Sequence, residues 1–193
     1  MWLVWLIIVA VVAIVTYLFI QQQQSRLGGN NSQRLPPLER TIFTLEIGDI
    51  VQYLEQDWFV EGKLTYNDDG YIWIEYLLQD GNNLNWLSVD EDDTIEVALL
   101  KPTTELNVDT NPPSEIEFQG SVYRLVGSGK AAMTHSGKAL NRGAQNCHYY
   151  DYKANNDQVM SIEVWNQEIE VSVGNRINPR MLRLLPGDGK KIY

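Results

Sequence analysis

Glu75 and Asp151 are the two carboxylates most tightly framed by aromatic residues, in Trp73-Ile74-Glu75-Tyr76 and Tyr149-Tyr150-Asp151-Tyr152. A carboxylate set among aromatic side chains must find a partner or hold a proton, because burial penalises its charge. One reading makes Glu75 a polar anchor in a binding groove lined by Trp58, Trp73 and Trp86, with Asp151 in the same slot of a second unit. The other makes it a structural acid that bonds a turn or an Arg of its own domain. The candidate binding residues are therefore Trp58, Trp73, Glu75, Tyr76, Trp86, Tyr149, Asp151 and Tyr152.

Other chemistry is weaker. Gly127-Ser128-Gly129-Lys130 and Ser136-Gly137-Lys138 lack the distant upstream Gly and following Ser or Thr of a phosphate loop. His135, Cys147 and His148 have no second Cys and no paired spacing, so no metal site is expected. Residues 90–93, an Asp-Glu-Asp-Asp run, lack the Gly and distant Glu of a calcium loop. No Ser-His-Asp or Cys-His spacing supports a catalytic arrangement, so the chain is read as non-enzymatic, with no cofactor.

The elements that must position these residues are strands. Short apolar or alternating runs cover 49–55, 58–66, 71–79, 84–89 and 94–101, separated by Asn-, Asp- and Gly-rich turns. In 71–78, alternation places Tyr71, Trp73, Glu75 and Leu77 on one face and Ile72, Ile74, Tyr76 and Leu78 on the other. Both faces are apolar, which predicts a central strand. Residues 129–143 are Gly-bounded and weakly apolar and read as a loop or a short helical turn. The order of the first half recurs in the second at an offset of about 75 residues. The expectation is a mainly β fold of two similar small β-barrel-like units in tandem, over 41–102 and 116–186, joined by a linker at 103–115.

Ahead of these units, residues 2–20 form an apolar run without charge, Pro or Gly. Nineteen residues at about 1.5 Å each match the hydrocarbon thickness of a bilayer. No basic residue precedes the run, and Gln rather than a small-residue cleavage site follows it, which favours a retained single-pass transmembrane helix (1–20) over a signal peptide. Arg26 and Arg34 follow it, predicting a cytoplasmic soluble region. Residues 21–40 read as a flexible polar linker and 187–193 as a tail.

Net charge is −10 and uneven. Residues 41–117 hold 18 acidic residues against Lys63 and Lys101, whereas 118–193 carry an excess of four basic residues. Such an acidic first half argues against nucleic acid and fits either solubility or a basic partner. A single Cys147 forbids an internal disulfide.

Gly48-Asp49, Val60-Glu61-Gly62, Trp73-x-Glu75-Tyr76-Leu77-Leu78, Asp80-Gly81 and Trp86-Leu87-Ser88 together resemble an uncharacterised bacterial family, domain of unknown function 4178. The family has no established activity or catalytic residues to carry over. Its association with membrane-stress systems of the phage-shock type implies an accessory role in envelope maintenance. The expected function is a membrane-anchored interaction or assembly module with a protein partner. The alternative is a small-molecule or lipid sensor using the aromatic faces near Glu75 and Asp151.

Overall fold

The computed structural model describes residues 39–138 and 145–187. They form one antiparallel sheet of eleven strands, eight of which close on themselves. The strands are β1 (Ile50–Tyr53), β2 (Gln56–Asp68), β3 (Tyr71–Asp80), β4 (Asn83–Glu91), β5 (Ile95–Thr103), β6 (Glu115–Phe118), β7 (Ser121–Gly137), β8 (Asn146–Lys153), β9 (Gln158–Trp165), β10 (Glu168–Arg176) and β11 (Arg183–Leu185). In space the order is β11-β1-β2-β3-β4-β5-β10-β9-β8-β7-β6, and β2 also pairs with β7. Strands β2–β5 and β7–β10 are thus two meanders that share one barrel.

That arrangement corrects the expectation of two barrels in tandem. Each half supplies four strands of the wall, too few to close alone around a packed interior. They meet along two seams, β2 with β7 and β5 with β10. A glycine sits at each seam. A Cβ on Gly62 would overlap the Lys138 carbonyl oxygen, and one on Gly174 would overlap that of Leu99. The resemblance between halves does surface in the wall. Each half opens on a short strand paired with a long one, β1 with β2 and β6 with β7, and each long strand carries a bulge, between Val60 and Gly62 or between Leu125 and Gly127.

The bulges decide which side chains reach the lumen, because one extra residue shifts the alternation of a strand by one. Before its bulge, β2 sends Trp58 and Val60 to an outer cluster with Tyr76, Leu78, Leu87 and Val89. After it, Leu64 and Tyr66 join Leu77, Trp86, Leu100, Met133 and Trp165 inside the barrel. The outer cluster is covered by Phe43 and Leu45 and by Ile177, Leu182 and Leu184, so the end of the chain pads the first half. A matching cluster outside the second half gathers Ile116, Phe118, Tyr123, Tyr152 and Ile162.

Most expected strands lie within two residues of an observed one. Residues 129–137 are the exception, since they belong to β7 and not to a loop. The small residues that make this segment weakly apolar let neighbouring chains approach in the wall, as at Gly129 and Gly137. Among the described residues the only helical piece is a 3-10 turn, Pro179–Met181, and no helix is long and apolar enough to cross a membrane. The transmembrane expectation falls on residues 2–20, outside the described residues.

Candidate functional site

The lumen is not filled from end to end. A cavity of about 570 Å³ lies between Trp73 and Glu75 of β3, Ser88 and Asp90 of β4, Ala98 of β5, Tyr149 and Asp151 of β8, and Ser161 and Glu163 of β9. Its lining includes Asp92, Asp93 and Thr94, which form the exposed turn between β4 and β5. A volume of this size suits a small organic molecule.

Alternation along the strands puts the polar residues here. On β3 the face bearing Tyr71, Trp73, Glu75 and Leu77 turns inward, and Ile74, Tyr76 and Leu78 pack outside. Neutral donors stand against the carboxylates. The Tyr66 hydroxyl donates to Glu75 at 3.2 Å, the Trp165 indole to Glu163 at 3.3 Å and the Trp86 indole to Glu170 at 3.1 Å. Ser161 donates to Asp151 at 3.3 Å, Tyr149 to Asp68 at 2.8 Å and Tyr71 to Asp90. Each of these bonds satisfies the oxygen it reaches and brings no charge of its own.

The aromatic rings form a connected set. Tyr66 stacks on Trp73 with centroids 4.7 Å apart and planes 1° from parallel. Tyr149 meets Trp73 edge-on at 5.0 Å, and Tyr71 lies tilted at 5.8 Å. Offset and edge contacts of this kind hold rings in place beyond their burial alone.

Electrostatics follow from burial and crowding. Desolvation first, then the nearby Glu163, push the Asp151 carboxyl up to about 7, against a lowering bond from Ser161. Burial and the bonds to Asp90 and Asp68 push the phenols of Tyr71 and Tyr149 well above their ordinary range, so both stay protonated donors. Seven acidic residues line the cavity against two basic ones, Lys153 and Arg176. Both of these pair with Glu96, Lys153 at 3.7 Å. Among the described residues no group of three or more His, Cys, Asp or Glu is placed to hold a metal ion.

Of the eight candidate residues, Trp73, Glu75, Tyr149 and Asp151 line this cavity, and Tyr152 borders it while its side chain packs in the cluster outside the second half. Trp86 lies inside the barrel next to it, where with Glu75 and Glu170 it lines a much smaller void. Trp58 and Tyr76 do not reach the lumen: the bulge at residue 61 and plain alternation turn them to the outer cluster. Trp58, Trp73 and Trp86 therefore do not share one groove, and the aromatic residues around the cavity are Tyr71, Trp73 and Tyr149. Glu75 and Asp151 are also not strict equivalents. Gly62 pairs with Leu77 and Gly127 with Asp151, so matching the bulges sets Asp151 against Leu77, two residues along on the same face. Asp90, Ser161 and Glu163 carried no warning in the sequence except their inward parity on the neighbouring strands.

A closed antiparallel barrel with an acidic, aromatic lumen is the class of protein these features define. The sequence pattern of the domain of unknown function 4178 (DUF4178) matches residues 46–179, and the chain belongs to that family. It is similar to Uncharacterized protein Mb2628 of Mycobacterium bovis and Uncharacterized protein Rv2597 of Mycobacterium tuberculosis. Each is 27% identical over 147 residues, covering 72% of this chain and 70% of the relative. No solved structure matches the chain.

Proposed function

We propose that the barrel is a non-catalytic binding module whose lumen receives a small molecule, with residues 2–20 holding it at a membrane. The observation that carries this reading is the cavity of about 570 Å³, where Tyr71, Trp73 and Tyr149 converge on Glu75 and Asp151. Concave sites with an aromatic lining and a few convergent polar groups are where small ligands bind. Under this reading the cavity residues bind and no covalent step takes place. A sensor at the envelope would also suit the membrane-stress setting implied by the family resemblance.

Docking of a protein partner is the second reading. It is supported by Ile72 on β3 and Ile95 on β5, which are 52% and 45% exposed, Ile95 opposite Glu91. The two readings combine if ligand binding changes what this wall presents.

Saturation-transfer NMR of the full chain in detergent, with a mixture of small aromatic, aliphatic and amine fragments, tests the lumen. Ser88→Trp and Ala98→Phe place bulk in the cavity from two paired positions on the neighbouring strands β4 and β5. We expect a subset of fragments to lose saturation in both variants, provided circular dichroism shows them folded. Fragments that bind native and filled barrels alike would remove the lumen as the site.

A further inference from the structure

We infer that the lumen selects an organic cation, a small primary or quaternary ammonium compound, an inference that rests on the binding reading above. Three observations carry it. The first is the balance of charge in the cavity wall. The two basic side chains, Lys153 and Arg176, both pair with Glu96 at the rim. The donors around Asp90 and Asp151 include the neutral hydroxyls of Tyr71 and Ser161, and Tyr66 and Trp165 bring a hydroxyl and an indole to Glu75 and Glu163. An anion entering this space would meet carboxylates, whereas an ammonium group would meet charge-assisted acceptors.

The second observation is an acceptor that the fold leaves unmet. Tyr71 bonds one oxygen of Asp90, and the other, Oδ1, is buried without a hydrogen-bond partner. Asp90 lines the cavity. A buried acceptor of this kind is expensive unless a donor arrives, and an ammonium or hydroxyl group on a ligand supplies one. The third is the aromatic set of Tyr71, Trp73 and Tyr149 around the same space. Ring faces attract cations, above all alkylated ammonium groups that water solvates poorly. A neutral apolar ligand would use the rings and leave Asp90 Oδ1 unmet. A bare divalent ion would use the acids and leave the rings unused, and it would lack a convergent ligand set among the described residues.

The test uses the full chain in detergent and three probes, choline, spermidine and benzyltrimethylammonium, measured by calorimetry. The neutral carbon analogue 3,3-dimethylbutan-1-ol and calcium chloride are the comparisons. We expect at least one ammonium probe to bind ten times or more tighter than the neutral alcohol. Asp90→Asn and Asp151→Asn should each weaken it by about tenfold, and Ser88→Trp should abolish it. Saturation of neutral fragments in the lumen should survive Asp90→Asn. Three outcomes overturn the inference: lumen-specific fragments with no preference for charge, calcium binding that excludes every ammonium probe, or an ammonium affinity untouched by the lumen variants. In each of those the binding reading stands or falls separately, on whether any fragment distinguishes native from filled barrels.

Discussion

Asp151 and Glu163 present two carboxyls to one lumen from adjacent strands, and burial together with this second acid pushes Asp151 up to about 7. A carboxyl raised in the folded state holds a proton that the unfolded chain has already lost. Stability therefore falls as pH rises from about 4 to about 7, and below that window the penalty is absent. Asp90 adds to the rise, Ser161 opposes it, and Glu75, Lys153 and Arg176 share the lining. Asp151→Asn removes the titration while keeping the shape. Urea midpoints at pH 5, 6, 7 and 8 should fall with pH in the native chain and stay flatter in the variant, with a gap of about 2 kcal/mol by pH 8. Parallel curves would show that Asp151 titrates as it does in water.

A cation bound beside the same carboxyl pulls in the opposite direction, because an adjacent positive charge favours the ionised form. At pH 7 a group near its midpoint is about half protonated, so ammonium binding should release roughly half a proton. Calorimetric titration of choline in phosphate and in the zwitterionic buffer MOPS, which differ in heat of ionisation, gives this number from the difference in heat. Release should vanish in Asp151→Asn. Equal heats in both buffers for the native chain would disconnect the ligand from Asp151.

Seam glycines make a different prediction. A Cβ at Gly62 meets the backbone carbonyl of Lys138, the residue just after β7, and one at Gly174 meets that of Leu99 on β5, so either substitution pushes on a barrel seam. At Gly127 the nearest atoms are Asp151 side-chain atoms at 3.8 Å and beyond. Gly62→Ala and Gly174→Ala should each cost at least about 2 kcal/mol, within the range for overpacking a tight site. Gly127→Ala should cost less than 1 kcal/mol. Chemical denaturation of the three variants settles the order, and an equal cost at all three would place the barrel seams elsewhere.

How much of this was legible beforehand depends on the periodicity of each segment. The strands from 49 to 101 were readable because Val, Ile, Tyr and Trp runs are cut by Asp-Gly and Asn-rich turns. The strand containing Ser128, Gly129, Ala131 and Ala132 was not, because small residues carry little strand signal and are chosen here for approach rather than propensity. The hairpin at Leu54-Glu55 was hidden too, since both residues adopt positive φ without Gly or Asn to announce it. Trp73, Glu75, Tyr149 and Asp151 were found by type and framing. Trp58 was misplaced because a one-residue bulge, invisible in a pattern of two, reverses which face it serves. Closure of one barrel from two halves is a pairing between residues some 70 positions apart, and local pattern says nothing about it.

Arg40 and Asp49 form an ion pair at 2.7 Å with the Asp49 side chain 2% exposed. The same carboxylate accepts from the backbone of Glu46 at 2.8 Å and of Gly187 at 2.8 Å, so it gathers both flanks of the first outer cluster. Removing only the cation strands a buried charge, which costs about 3 kcal/mol or more. Arg40→Met should therefore destabilise strongly and raise hydrogen exchange in β11 and in β1 beside it. Unchanged exchange at residues 183–185 would mean that Leu182 and Leu184 hold this end by packing alone.

Tyr149 reaches Asp68 only because Gly129 carries no side chain. A Cβ at Gly129 would overlap both the Asp68 carboxylate and the Tyr149 ring, which lies across β7. The bond is charge-assisted and half-buried, so Tyr149→Phe should cost about 1.5 kcal/mol. Gly129→Ala should cost as much or more, because it displaces the ring as well as the bond. Since both substitutions break one contact, the double variant should fall short of the sum by about 1 kcal/mol. The same displacement moves Tyr149 away from its edge contact with Trp73 at 5.0 Å. Gly129→Ala should therefore shift near-ultraviolet circular dichroism and weaken lumen binding, while Tyr149→Phe keeps the ring and most of the affinity. Strict additivity of the pair would show that the glycine serves β7 itself and leaves the lumen untouched.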